Sequence, residues 1–279
     1  MSYKTKGKFR RAIFTILLSI GALISIIPFI YMISTALKGP VYVFEIPPRI
    51  IPEHPTLQNF ISAWTSNQFG LYFLNSVAVT LISVVGIVLL AAMMAYAFAR
   101  FDFFGKKFLY GLVIFFMTMP AMSLIVPQFI LATELRITDS LVGLVALYIA
   151  QNIPFAVFLL RGFLEEVPKE IEEAARIDGA SAWSTFWHIT LPLCKPALAT
   201  SAIIAFLGAW DEFTWASTII NTPSKRTLPV AIATFQGVHT TNWGLVFAAS
   251  LIAIVPVLII FIALQKYFIK GMTAGAVKG

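Results

Sequence analysis

The sequence predicts an all-α integral membrane protein with about six transmembrane helices, because uncharged apolar runs of membrane-crossing length recur along it. Two further observations agree. The 279 residues are 59% hydrophobic and only 12% charged, where an ordinary soluble domain carries roughly 25%, so there are too few charges to cover a water-soluble body. The apolar runs are also continuous, without the period of two that lipid-facing barrel strands require.

Taken in order, a basic tail (1–11) leads into a first run of 26 uncharged residues, 12–37. That run has a basic front and Ser34-Thr35-Ala36 at its far end, as a signal peptide would. It exceeds the 7–15 apolar residues of a signal peptide, so a retained anchor is expected. Residues 38–70 hold Pro40, Pro47, Pro48, Pro52 and Pro55, a density that opposes regular helix and marks a loop. The core, 71–264, supplies runs at 71–99, 108–133, 141–160, 196–220 and 245–264, the fifth continuing past Asp211 and Glu212. Two long loops interrupt it, 161–195 and 221–244, and a short tail, 265–279, closes the chain.

Six spans put both termini on one side. That side then carries fifteen Lys and Arg, and the other only Lys38, Arg49, Arg136, Lys225 and Arg226. The asymmetry places both termini in the cytoplasm and loops 38–70 and 221–244 outside. The net charge of +7 therefore reports orientation rather than affinity for nucleic acid. Cys194, alone, excludes an internal disulfide and a cysteine metal cluster, and reads as a small apolar residue. His54, His188 and His239 are scattered and have no metal-ligand spacing.

Loop 161–195 has an architecture of its own. It holds six of the 13 acids: Glu165, Glu166, Glu170, Glu172, Glu173 and Asp178. Pro168 suits a first helical turn, and Lys169–Ile177 consists almost wholly of helix formers with its glutamates near the start. Asp178-Gly179 ends that helix through a left-handed turn, and Ser181 caps a second one, Ala182–Thr190. On the second helix Trp183, Phe186, Trp187 and Thr190 share a face, and Pro192 and Pro196 are expected to break the chain before the next span. Patterning alone leaves two readings open, a docking element or a solvated amphipathic loop.

Glu173-Ala174-Ala175, then three residues, Gly179, nine residues and Ile189-Thr190-Leu191-Pro192 resembles the EAA-loop signature of ABC importer permeases, EAA-x3-G-x9-I-x-LP. The segment Phe206–Phe213 resembles the one following that loop in carbohydrate permeases, and the tail from Tyr267 to Gly279 is similar to that of the second, shorter permease subunit of maltose-type importers. The resemblance implies a type I ABC importer permease fold in the plasma (inner) membrane. It implies as partners a second permease subunit, two ATP-binding subunits and an extracytoplasmic solute-binding protein, besides membrane lipid. Glu173, Ala174, Ala175, Asp178, Gly179, Trp183, Leu191 and Pro192 would then form the contact with the ATPase. Consistent with a separate motor, the sequence has no G-x4-G-K-[ST] phosphate loop; Gly105-Lys106-Lys107 lacks its leading Gly and its hydroxyl residue. ATP and Mg would sit on the partners, with no cofactor on this chain.

The solute pathway has no signature that carries over residue by residue, and Asp211 stands where carbohydrate permeases often have Asn. Trp210, Asp211 and Trp215 are candidates because aromatic faces and carboxylates suit sugar rings and hydroxyls. In a continuous helix Asp211 and Trp215 would share one face, with Glu212 turned towards a helix–helix contact. The same residues also fit an interfacial anchor. Intramembrane acids keep a proton-coupled secondary transporter or channel in view. The other spans offer no relay of ionisable partners, and no catalytic cluster supports an enzyme.

Overall fold

The structure, a computed structural model, describes residues 3–42, 44–66, 68–237 and 240–276. His239 and Lys278 lie outside them. Every regular element among the described residues is helical, apart from one isolated bridge between Gln236 and Thr241. In order these are α1 (Tyr3–Ala36), α2 (Gln58–Thr65), α3 (Phe69–Arg100), α4 (Lys106–Thr118), α5 (Ile125–Glu134), α6 (Leu141–Glu166) and α7 (Lys169–Ile177). Then come α8 (Ala182–Thr185), a π turn (Phe186–Thr190), α9 (Leu191–Leu193), α10 (Lys195–Trp210), α11 (Thr214–Ile219), α12 (Leu228–Thr234) and α13 (Trp243–Ala276), with short 3-10 turns at Ala121–Leu124 and Pro223–Lys225.

Four stretches are long and apolar enough to cross a membrane: Arg11–Ala36, Phe69–Arg100, Leu141–Glu166 and Trp243–Lys266. The third expected span is bent rather than straight, and a second bend falls just before the fifth expected span, 196–220. Lys106–Thr118 and Ala121–Glu134 meet at 104°, and Ala182–Leu193 and Lys195–Trp210 at 79°. The first bend has a local cause. Pro120 forces its predecessor Met119 out of helical geometry, to ψ 128°, and offers no N–H of its own. Pro28, Pro154 and Pro256, by contrast, lie inside unbroken helices.

The fifth span also stops sooner than expected. α10 has 16 residues, about 24 Å, and ends at Trp210 instead of running on to Ile220. Loop 38–70 is irregular through its prolines and turns helical only beyond Pro55, as α2. Loop 221–244 contains α12, with Pro229 in its first turn.

The chain forms two compact units. One comprises residues 1–69 and 232–254. Within it, the Trp243 N–H donates to the Val41 carbonyl (2.7 Å), and the Val41 N–H to Asn242 Oδ1 (3.1 Å). The Phe44 ring packs against Trp243 and Tyr31, at 5.3 and 6.0 Å between centroids.

The other unit comprises 70–231 and 255–279. Its core has two parts. In one, Ile87, Ala91 and Ala95 of α3 pack with Ala156, Val157, Leu160 and Leu164 of α6 and with Ala197 and Ala205 of α10. The many alanines let these backbones approach closely, as helices in lipid require. In the other, Val79, Leu144 and Tyr148 surround Trp215, Ala216 and Ile219.

Candidate functional site

Loop 161–195 folds as two short helical segments with distinct inner and outer faces. α7 stops at a Schellman motif built on Gly179, whose φ is +87°. The Gly179 N–H donates to the Arg176 carbonyl (3.0 Å) and the Ala180 N–H to that of Ala175 (2.9 Å). Ser181 then caps α8, its hydroxyl accepting from the Ser184 N–H at 3.2 Å.

The chain does not break at Pro192. The π turn Phe186–Thr190, closed by the Leu191 N–H on the Phe186 carbonyl, carries the helix on through Pro192 to Leu193. The bend falls instead at Cys194, which is buried. The rings of Trp183, Phe186 and Trp187 stay in mutual contact, at 6.0, 5.6 and 5.3 Å between centroids, so the aromatic face forms with one side turned to the core. Phe186 and Thr190 point inward and are buried, whereas Trp183 is 59% exposed and Trp187 37%.

Of the expected coupling residues, Glu173, Ala174, Asp178, Gly179, Trp183 and Pro192 are exposed, Leu191 is half-buried and Ala175 is buried. The six exposed residues lie on the loop's surface, and Ala175 is buried with Glu172.

Glu172 was not singled out by sequence reasoning, yet it organises the inner face. Its side chain and that of Arg100, the last residue of α3, are each 4% exposed. Arg100 Nε donates to Glu172 Oε1 at 2.8 Å, and Arg100 Nη2 to the Val167 carbonyl at 2.9 Å. The Thr190 hydroxyl donates to Oε1 (3.1 Å) and the Tyr96 hydroxyl to Oε2 (3.3 Å). One carboxylate thus joins α3, α7 and the π turn. A faint signal existed: Glu172 and Ala175 fall at i, i+3, so this glutamate shares the apolar side of α7.

The candidate pathway residues are not brought together. The backbone leaves the helix at Asp211–Phe213, so the i, i+4 pairing of Asp211 with Trp215 does not form. Asp211 is exposed, while Trp210 and Trp215 are each 3% exposed. Trp210 stacks on Phe206 at 5.6 Å, and Trp215 lies in the core with Tyr148.

Glu212 holds the break in place. Its Oε1 accepts the Trp215 N–H (2.7 Å) and its Oε2 the Ala216 N–H (3.0 Å), satisfying two free donors at the start of α11. Oε2 also accepts from the Tyr148 hydroxyl on α6 at 2.7 Å, the interhelical contact expected of this residue. Beside the Pro120 bend, Gln151 of α6 donates to Gln128 of α5 at 3.2 Å, on the wall of an otherwise apolar cavity of about 550 Å³.

A second polar cluster ties the α5–α6 connection to the segment after α11. Asp139 Oδ1 accepts the N–H groups of Asn221 (3.0 Å) and Thr222 (2.9 Å), and Oδ2 accepts the Thr222 hydroxyl (2.6 Å). Lys225 Nζ lies 3.3 Å from Oδ2. The Thr222 hydrogen bonds, followed by those from Asn221 and Lys225, hold the Asp139 carboxyl far below its ordinary range.

The family of binding-protein-dependent transport system inner membrane components matches residues 87–274, from mid-α3 through both bent pairs and the two-faced loop. The chain belongs to this family. Like other members, it is a multi-pass permease component rather than a catalytic subunit. It is 37% identical over 264 residues to a putative ABC transporter permease protein, ORF2, of Caldicellulosiruptor sp., covering 95% of this chain and 96% of that one. It is 34% identical over 252 residues to the sulfoquinovosyl glycerol transport system permease protein SmoH of Agrobacterium fabrum, covering 90% and 88%. Among solved structures it resembles a chain of a bacterial ABC transporter involved in the import of the acidic polysaccharide alginate. The TM-score is 0.80 over 96% of this chain and 99% of that chain, and at 23% identity the likeness is one of fold.

Proposed function

We propose that this inner-membrane permease is one of two membrane-spanning subunits of an ATP-driven, binding-protein-dependent importer for a sugar or oligosaccharide, with both termini in the cytoplasm. The observation that carries the reading is the two-faced loop between α6 and α10. Its inner face is fixed to α3 through Glu172, and its outer face leaves Glu173, Ala174, Asp178, Gly179 and Trp183 open to a partner. Glu173 and Asp178 would meet basic groups of an ATP-binding subunit, and Trp183 would supply the desolvated anchor. Leu191 and Pro192 would carry that contact towards α10. Two such ATP-binding subunits, holding ATP and Mg, would close and move the loops of this chain and of its partner permease. The spans would then open alternately to each side. A solute-binding protein would deliver the cargo from outside. A relative of this chain, 34% identical, is named for sulfoquinovosyl glycerol transport, which favours a carbohydrate solute. With Trp210 and Trp215 committed to packing, Asp211 is the member of the pathway group placed to meet solute hydroxyls.

The test is reconstitution of the chain in liposomes with its partner permease, the ATP-binding subunits and a loaded binding protein. Glycoside uptake should require ATP, and Gly179→Asp should abolish uptake while ATP hydrolysis continues. Apart from its two chain neighbours, nothing in this chain lies within 4 Å of a Cβ built on Gly179, so Gly179→Asp would act through strain of the left-handed turn and crowding against a partner. Wild-type coupling in Gly179→Asp would remove the loop from the contact. ATP-independent uptake by this chain alone would point to a secondary transporter or channel. Asp211→Asn should shift the apparent affinity for solute without loss of assembly, and unchanged affinity would remove Asp211 from the pathway.

A further inference from the structure

The loop reaches its neighbouring helices by three routes, and only one of them is purely side-chain chemistry. It continues covalently from α6 through Val167-Pro168. It continues covalently into α10 through the bend at Cys194. α3 has no such continuity with it, because α4, α5 and α6 intervene along the chain. What joins α3 to the loop is the buried cluster around Glu172, together with the packing of Tyr96 against Phe186 at 5.0 Å between ring centroids.

We infer that Arg100 and Glu172 are positioning residues that transmit displacement of the loop to α3, so that α3 moves with α10 when the partner ATPases close. This rests on the proposal that the outer face of the loop is the ATPase contact. Neither residue reaches that face, since both side chains are almost wholly enclosed.

The geometry suits a rigid link rather than a simple patch of adhesion. Arg100 is held at two points, by the carboxylate and by the Val167 carbonyl at the C-terminus of α6. The carboxylate in turn accepts from Tyr96, one turn before Arg100 on α3, and from Thr190 in the π turn. α7 therefore cannot slide along α3, nor the π turn swing away from it, without breaking a charge-assisted hydrogen bond in an enclosed site. An apolar contact of equal area would allow both motions, because dispersion has no preferred direction. A buried ion pair is also a poor choice for stability alone, since well-packed apolar residues of similar volume often stabilise a fold as well or better.

The test is a coupling ratio, solute taken up per ATP hydrolysed, measured on the reconstituted full complex. The double replacement Arg100→Met with Glu172→Leu leaves no unpaired buried charge and keeps the volume filled. It should assemble and hydrolyse ATP, with the ratio lowered about tenfold, within the range typical of lost coupling between sites. A structural role alone would lower the yield of complex and leave the ratio of the surviving complex unchanged, and that result would overturn the proposal. If the double variant yields no complex, Glu172→Gln, which keeps the volume and one acceptor oxygen, decides on the same ratio. A lowered ratio supports the link and a wild-type ratio overturns it. Absence of ATP-dependent uptake by the wild-type complex would overturn the proposed function rather than this link.

Discussion

At the scale of single residues, Glu172 and Gly179 lie seven positions apart in one loop and should fail for different reasons. Glu172→Ala leaves the Arg100 guanidinium enclosed without its carboxylate, and removing one partner of a buried pair costs about 3–5 kcal/mol. Tyr96→Phe removes one hydrogen bond on the same carboxylate, a loss of about 1 kcal/mol. Gly179→Ala meets nothing in the chain beyond its two neighbours and suffers only the left-handed backbone, about 1–2 kcal/mol for a residue with a Cβ. Thermal unfolding of the detergent-solubilised protein should therefore rank Glu172→Ala as clearly the most damaging. Equal melting temperatures for Glu172→Ala and Tyr96→Phe would mean that water reaches the ion pair. The roles were unequally legible for the same reason. Gly179 announces itself by residue type, because a helix stop needs a left-handed turn. Glu172 looks like any helix-surface glutamate until the fold brings Arg100 to it from 72 positions away.

At the scale of elements, the sequence was most informative where cause and effect are adjacent. α7 occupies its expected range, and Ser181 caps the helix after it, because propensity, capping and left-handed turns act over a few residues. Breaks inside apolar runs were harder to read. Pro28, Pro154 and Pro256 leave their helices intact while Pro120 divides one, so a proline in lipid is not by itself a boundary. Glu212 holds the break after α10 through hydrogen bonds to residues three and four positions ahead, which hydropathy does not register. Asp139 shows the same dependence on the fold, since its partners belong to the segment after α11. Its carboxyl is held below the ordinary value of 3.8, so the folded state favours the charged form. The stability this contributes is complete above that value and is lost as the pH falls below it, towards the depressed folded value. Hydrogen exchange at Asn221 and Thr222, corrected for intrinsic rates, should show protection that declines as the pH drops below 3.8. In Asp139→Asn that decline should be absent and the protection lower throughout. An unchanged profile in the variant would show that other groups hold the segment.

At the scale of the whole molecule, the two polar clusters constrain how the bent pairs can lie in the membrane. Length and apolarity alone leave four spans or up to six, since each bent pair could be a crossing or a re-entrant hairpin. Arg100 and Glu172 touch, so the end of α3 and the start of the loop lie on one side. Between them run α6, which crosses once, and the α4–α5 pair. If that pair returned to its starting side, the two residues would be separated by the bilayer. The contacts of Asp139 with Asn221 and Thr222 apply the same parity to α6 and the second bent pair. If α6 crosses once, each pair crosses too, and with α1, α3 and α13 as crossings the count would be six. The direction of those crossings rests on fifteen Lys and Arg against five. Single cysteines at Asp102 and Glu134, one on each side of the α4–α5 pair, test parity and direction together. Asp102 has a fully exposed side chain, Glu134 is exposed, and native Cys194 is 3% exposed and should stay silent. A membrane-impermeant maleimide should label Glu134→Cys in intact cells and Asp102→Cys only after permeabilisation. The reverse pattern would invert the topology and put the two-faced loop outside, away from ATP. Labelling of both from one side would make α4–α5 a hairpin, and the contact between Arg100 and Glu172 could then not exist in the membrane.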